Sequence, residues 1–315
     1  MPNKILAITM NPSVDISYPI DHLQLDTVNR VSNVTKTAGG KGLNVARVVY
    51  QLQEPVSTSG VLGGTIGTFI SQQLADIGLQ EQFLHIPQES RNCIAILHDD
   101  GQQTEVLEAG PTLTADQQVE FMDHFDQLLN EVSLVTISGS LPRGFAVDLY
   151  ADMVEAAAKK DVKVILDSSG ASLAAGISKE HKPLLIKPNQ EEIAQLVGRK
   201  LNDLADLQHV LLNEEVFGGL EWVVVSLGKD GALAKVGQEL YRVTIPKINV
   251  VNPVGSGDST VAGLAVGINR HESVPDVLKT AMTTGMLNTM EKETGHIDPT
   301  LFDEYFAKVS VEKIN

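Results

Sequence analysis

Positive charge is scarce in this sequence, and so are aromatic residues and cysteine. Lys and Arg number 24 against 40 Asp and Glu, a net charge of −16. That balance disfavours DNA, RNA and anionic membranes as partners. Aromatic residues make up 4% of the chain, too few for a base-stacking platform. Cys93 is the only cysteine, which excludes an intrachain disulfide, and no Cys/His cluster suits zinc. It lies in the run Cys93-Ile94-Ala95-Ile96-Leu97, where a buried structural thiol is expected. No run reaches the roughly 18 apolar residues of a membrane span, and no basic region precedes an apolar stretch at the start. The expectation is a cytoplasmic protein without a membrane partner. Two common nucleotide motifs are missing as well. Gly40-Lys41 lacks the earlier glycine and the following Ser/Thr of a P-loop, Gly228-Lys229 runs into Asp230, and no G-x-G-x-x-G occurs. The histidines form neither ligand pairs nor a triad.

What is present is a chain of 315 residues, 43% apolar and 20% charged, long enough for a large core. Strand-like and helical segments alternate. Ile5 to Thr9 and Val56 to Leu62 read as strands, followed by helical spacing from Leu43 to Leu52 and Thr65 to Leu74. Leu134–Ser138, Val162–Leu166, Leu184–Lys187 and Trp222–Ser226 repeat the pattern, and a last α/β stretch runs from Asp258 through Glu291. The fold class expected is α/β, a parallel sheet with helices on both faces. Two segments lack the helical period. Ile16 to Lys36 is polar and β-like, and Arg91 to Glu108 holds a hairpin signal around Asp99-Asp100-Gly101. Together they could form a small β-sheet lid, or simply two surface loops. The expected core is then 1–12, 37–90 and 109–315, with 13–36 and 91–108 as the lid and a possible dimer clasp.

The most informative stretch is Asn252-Pro253-Val254-Gly255-Ser256-Gly257-Asp258-Ser259, which opens an apolar helix. Gly255 and Gly257 let the backbone turn several N–H groups one way, and such groups at a helix N-terminus attract an anion. A carboxylate beside a phosphate is repulsive and needs a reason. Asp258 as a base that deprotonates a hydroxyl, with Gly255, Ser256 and Gly257 cradling the phosphoryl group it attacks, supplies one. The plainer alternative is a glycine turn capped by Asp258. Ala38-Gly39-Gly40-Lys41-Gly42-Leu43-Asn44 also opens a helix. Its backbone and Asn44 suit sugar hydroxyls, and Lys41 suits a phosphate. Asp15 follows the first strand, where open α/β sheets bind ligands, and could accept two sugar hydroxyls. Arg91 could pair with a sugar phosphate, and Ser138 and Ser140 could bond sugar or phosphate. Asn189 and Glu192 have capping-box spacing. The same residues could hold Mg²⁺ through water, beside a phosphate contact from Lys187 or Asn189. Ser226, Gly228 and Gly231 suit nucleotide phosphate or ribose, and Asn288 an adenine edge. Each of these is also explained by ordinary turn or cap chemistry.

Taken together, the chain resembles the PfkB (ribokinase-like) carbohydrate kinases from end to end. The segment 38–44 is similar to the family's first signature, Asn252 through Ala265 to its second, and Asn189-Gln190-Glu191-Glu192 to its N-x-x-E magnesium motif. Within the family, Met10–Pro19, Thr37–Asn44, Arg91–Leu97 and Asn252–Gly263 most resemble kinases of ketohexose phosphates, tagatose 6-phosphate above all. The resemblance implies a ribokinase-like core with a β-lid, ATP as co-substrate, Mg²⁺, and a homodimer formed through lids. The activity it implies is phosphorylation of the C1 hydroxyl of tagatose 6-phosphate. One departure is Asn252-Pro253, where Asp-Thr is common in the family, in a segment that binds a monovalent cation in some relatives. A phosphofructokinase is the nearest rival, and a non-catalytic sugar-phosphate or nucleotide sensor the rival from another class.

Overall fold

Ile5, Leu6, Ala7 and Ile8 are wholly buried and face alternate layers. Ile5 and Ala7 join one core cluster, with Leu43 and Val261, while Leu6 and Ile8 join a second, with Phe121 and Tyr150. A strand covered on both faces needs apolar residues at every position, which is why this one reads as a continuous run. The computed structural model describes residues 3–314. Among these, an eleven-stranded sheet forms the centre. From one side its order is Ser310–Lys313, Glu239–Thr244, Ala232–Val236, Trp222–Ser226, Leu185–Ile186, Lys163–Asp167, Leu134–Ser138, Ile5–Thr9, Val56–Gly63 and Gln80–Glu81, with Leu84–Ile86 also pairing on Val56–Gly63. The strands from Trp222–Ser226 to Gln80–Glu81 are parallel. Their carboxyl ends therefore lie along one rim, bringing Thr9, Ser138, Asp167, Lys187 and Ser226 to the same side. This is the side on which open parallel sheets take ligands.

Helices Lys41–Gln51, Ser256–Asn269 and Val274–Met290 cover one face, and Ala115–Leu128, Leu149–Ala158 and Leu204–Asn213 the other. The stretch from Asp258 to Glu291, expected as α/β with a helix after Asp258, is two helices and no strand among the described residues. The break falls at His271, with φ of 57°, and Ser273 caps the second helix. Ser310–Lys313 and Glu239–Thr244 extend the sheet antiparallel, an edge that short and charged strands did not announce.

A separate four-stranded sheet lies beside the core, ordered Thr35–Gly39, Ser13–Pro19, Arg91–His98 and Gln102–Leu107. The hairpin at Asp99-Asp100-Gly101 forms as the sequence suggests, with all three residues at positive φ. The sheet packs against helix Gly64–Asp76, while its edge strand Gln102–Leu107 is exposed throughout. Cys93 belongs to this sheet and is only half-buried, because its strand lies outside the main core. Among the described residues no helix is long and apolar enough to cross a membrane.

The two helices behind the candidate site touch at Gly263. A Cβ there would lie 2.4 Å from Thr284 Oγ1 and 2.6 Å from Ala281 Cα. Interiors packed this closely do not absorb added carbons without shifts. Gly263→Leu should therefore lower unfolding stability by about 1–3 kcal/mol, read as an earlier urea midpoint. An unchanged midpoint would mean that the two helices part freely.

Candidate active site

Helix Ser256–Asn269 begins after Gly255, whose φ of 82° is the left-handed conformation that glycine adopts without strain. No described side chain caps this N-terminus, and of its first N–H groups that of Ser256 donates to the Pro253 carbonyl at 3.4 Å. Gly255, Ser256 and Gly257 are part-exposed and accessible. The loop is fastened from behind by Asn288. Its Oδ1 accepts from Ser259 Oγ at 3.0 Å and from the Gly295 N–H at 2.8 Å, and its Nδ2 donates to the Val254 carbonyl at 2.9 Å. Asn288 is 0% exposed, which corrects the expectation of an adenine contact. Its amide is fully occupied in shaping the anion loop.

Asp258 does not cap its helix. Its carboxylate is 6% exposed and accepts a 2.7 Å hydrogen bond from Asn44 Nδ2. Burial, then the charge of Asp167, push its pKa up to about 6, against the pull of Lys41, Asn44 and Lys187. Asp167 was not singled out from the sequence. It ends strand Lys163–Asp167, 3% exposed, with Lys187 Nζ 3.3 Å from one carboxylate oxygen and Lys41 Nζ 3.7 Å from the other. The oxygen facing Lys41 has no hydrogen-bond partner among the described residues. The signal that could have found it is the one used for Asp15, a carboxylate at a strand's carboxyl end. Lys187 is buried, and its Nζ lies 3.5 Å from where a Cβ on Gly257 would stand, so its charge rests against the anion loop.

Lys41 keeps 48% of its side chain exposed, and the charge of Asp167 raises its pKa. It acts on Asp258 too. Lys41 thus stands beside both Asp167 and Asp258, with its side chain still open to solvent. Asn44 needs a correction as well. It is buried, with its Nδ2 on Asp258 and its Oδ1 taking a hydrogen bond from Arg47, so it orients the carboxylate rather than a sugar.

Asp15 lies directly over Gly39, where a Cβ would sit 2.1 Å from the carboxyl carbon. Only glycine leaves room for that carboxylate. Ser13 Oγ donates to it at 2.7 Å, and burial raises its pKa despite Arg47 and Arg91 nearby. Gly40 then opens helix Lys41–Gln51 at φ of 116°. Arg91 donates to the carbonyls of Asn11 and Glu108, which fixes its charge beside Asp15. Ser138 Oγ, Thr9 Oγ1 and Asn11 Oδ1 are buried without hydrogen-bond partners among the described residues. Such orphans gathered at strand ends suit a polar ligand. Ser140, one turn beyond, is exposed.

On the other wing, the Asn189–Glu192 capping box forms in both directions. Asn189 bridges to Ser226, so Lys187, Asn189 and Ser226 share one edge of the rim. Gly228 opens onto free space at φ of 58°. Gly231 is packed beneath the Val243 carbonyl and is a turn residue, which removes it from the ligand surface. Among the described residues no three His, Cys, Asp or Glu converge to cage a metal. Glu192, with one oxygen in the capping box, and the orphaned oxygen of Asp167 fit Mg²⁺ that keeps waters and phosphate ligands.

The whole arrangement pairs a proton acceptor with an uncapped helix end and two lysines. This is what a hydroxyl attacking a phosphoryl group requires. The likenesses to known proteins agree. Residues 8–301 match the pfkB family carbohydrate kinase description. The chain is 49% identical over 311 residues to tagatose-6-phosphate kinase of Staphylococcus epidermidis, covering 98% of this chain and 100% of that one. The structure of phosphofructokinase-2 from Escherichia coli in complex with potassium superposes with a TM-score of 0.88 at 25% identity, over 96% of this chain and 98% of that one. The tetrameric inhibited form of the same enzyme gives 0.86 at 26% identity, over the same 96% and 98%. With a family match spanning nearly all of its length, this chain belongs to the pfkB family of carbohydrate kinases.

Proposed function

We propose that this kinase transfers the terminal phosphoryl group of ATP to the C1 hydroxyl of tagatose 6-phosphate, giving tagatose 1,6-bisphosphate. The observation that carries the chemistry is Asp258, a buried carboxylate with a pKa of about 6 at the mouth of an uncapped helix. Such a group is anionic near neutral pH yet basic enough to take a proton from the attacking hydroxyl. Gly255, Ser256 and Gly257 direct N–H groups at the phosphoryl oxygens, and Lys41 and Lys187 offset charge on either side of Asp167. The substrate is supported by the 49% likeness to a tagatose-6-phosphate kinase.

In this reading Asp15, Gly39 and Gly40 receive the sugar hydroxyls. Arg91 faces the existing phosphate, with Ser138 and Ser140 completing the acceptor side. Lys187, Asn189, Ser226 and Gly228 line the nucleotide. Mg²⁺, held through Glu192, Asn189 and Asp167 with water between, would neutralise charge on the ATP phosphates. The second sheet, built on Ser13–Pro19, Thr35–Gly39, Arg91–His98 and Gln102–Leu107, serves as a lid that excludes water. A homodimer through the lids would cover Val106 and Leu107, which stand exposed on its edge strand. A cytoplasmic setting, where ATP is supplied, is part of the same proposal. Sedimentation velocity should give a dimer for the native chain and a shift toward monomer for Val106→Lys/Leu107→Lys. Identical sedimentation would remove the clasp.

Side-by-side kcat/KM for tagatose 6-phosphate, fructose 6-phosphate and free tagatose tests the substrate. Tagatose 6-phosphate should lead, with free tagatose at least about two orders of magnitude lower, since a charge-assisted contact is worth roughly 1.5–3 kcal/mol. Fructose 6-phosphate differs at C4 alone, and its turning over faster would make this a phosphofructokinase. No ATP consumption with any acceptor would favour a sensor. EDTA should abolish turnover, and activity surviving the chelator would remove the metal.

Asp258→Asn should cut kcat by roughly 10²–10⁴-fold while leaving ligand binding nearly intact. In the native enzyme the ionised carboxylate is the active form. Log kcat/KM should therefore fall as pH drops through about 6, and level off above it. A variant retaining most of the native kcat would end Asp258's role as base.

A further inference from the structure

Arg47 is used by nothing described so far. It lies one helical turn after Asn44, on the face of Lys41–Gln51 turned toward the site. Its guanidinium donates to Asn44 Oδ1, to the carbonyl of Ala38, and at 3.4 Å to the carbonyl of Thr294. Its Nε is sealed from solvent without a partner among the described residues. Burial draws its pKa down from the arginine range, and the charges of Asp15, Asp258 and Glu293 oppose the shift. A desolvated charge is costly to maintain, and an apolar side chain would fill the same space at less cost.

The amide of Asn44 explains what the charge achieves. The two ends of an amide have nearly the same shape, so hydrogen-bond partners decide which way it faces. Arginine can only donate, and it claims the oxygen. The NH₂ end is thereby turned onto Asp258 Oδ2, 2.7 Å away. A flipped amide would set its oxygen against the carboxylate and leave Asp258 with Lys41 and Lys187 as its remaining partners against Asp167. The other contacts extend the hold. Ala38 precedes Gly39, over which Asp15 sits, and Thr294 precedes Gly295, whose N–H is tied by Asn288 to the anion loop.

Resting on Asp258 as the base, we propose that Arg47 is a positioning residue that locks the Asn44 amide and so keeps the Asp258 carboxylate aimed.

The test is kinetics against pH for Arg47→Met, Arg47→Lys, Asn44→Leu and the double variant Arg47→Met/Asn44→Leu. Arg47→Met should lower kcat by about 10- to 100-fold, the scale of a slightly misplaced reacting group. Its acid limb should move up from about 6, because the Asn44 donor is no longer fixed on Asp258 and a nearby positive charge is lost. Asn44→Leu should move the limb in the same direction. The double variant should be no worse than Asn44→Leu alone, since one residue acts through the other. Arg47→Lys, able to donate to one acceptor but not to fork across several, should recover part of the loss. An acid limb unmoved in Arg47→Met, or losses that multiply in the double variant, would overturn the proposal and leave Arg47 as a packing residue. Should Arg47→Met fail to fold by circular dichroism, Arg47→Lys and Asn44→Leu decide by the same limb. Failure of the base itself is separate, because it would show in Asp258→Asn and not in these variants.

Discussion

A carboxylate that works beside phosphate must be held there against the repulsion of what it serves. Everything around Asp258 answers that constraint. The chain as a whole is strongly acidic, so relief is local: a helix end without a side-chain cap, two lysines on either side of Asp167, and the Asn44 amide. These groups come from four separate parts of the sequence. They meet because parallel strands end on one rim, and because the helix carrying Lys41 and Asn44 packs on the helix carrying Asp258. The fold's contribution to chemistry is thus a concentration of positive potential where the composition provides little of it.

The same constraint explains how Asp258 stays useful. With Asp167 near and water excluded, its proton affinity rises; with Lys41, Asn44 and Lys187 near, it does not rise far. The opposing influences leave a base that is ionised at neutral pH without being inert.

The glycine loops were legible because their function lies in the backbone, and backbone freedom is written directly as glycine. Asp258 was legible because it stands immediately after one of them. The parallel core could be read from Ile5–Thr9, Leu134–Ser138 and Trp222–Ser226, which are short apolar runs bounded by turns. What escaped depended on partners distant in sequence. Asp167 looks like an ordinary strand terminus until Lys41 and Lys187 flank it. Asn44 was read as a sugar ligand, since nothing local reveals that Asp258, 214 residues away, takes its amide. Asn288 was read as an adenine contact for want of any sign that Ser259, Val254 and Gly295 would occupy it. Side chains with two-ended hydrogen bonding are hard to place from sequence because either end finds a use.

One junction carries a consequence for how this protein can vary. The strand Thr35–Gly39 and the helix Lys41–Gln51 are joined by Gly40 alone. Each residue of an α-helix turns it by about 100°. Adding or deleting a single residue at Gly40 would rotate Lys41, Asn44 and Arg47 together away from Asp167, Asp258 and Ala38, though no side chain had been changed. Loop length is elsewhere the most freely varied property of a fold, but here it is as tightly constrained as the identity of the base.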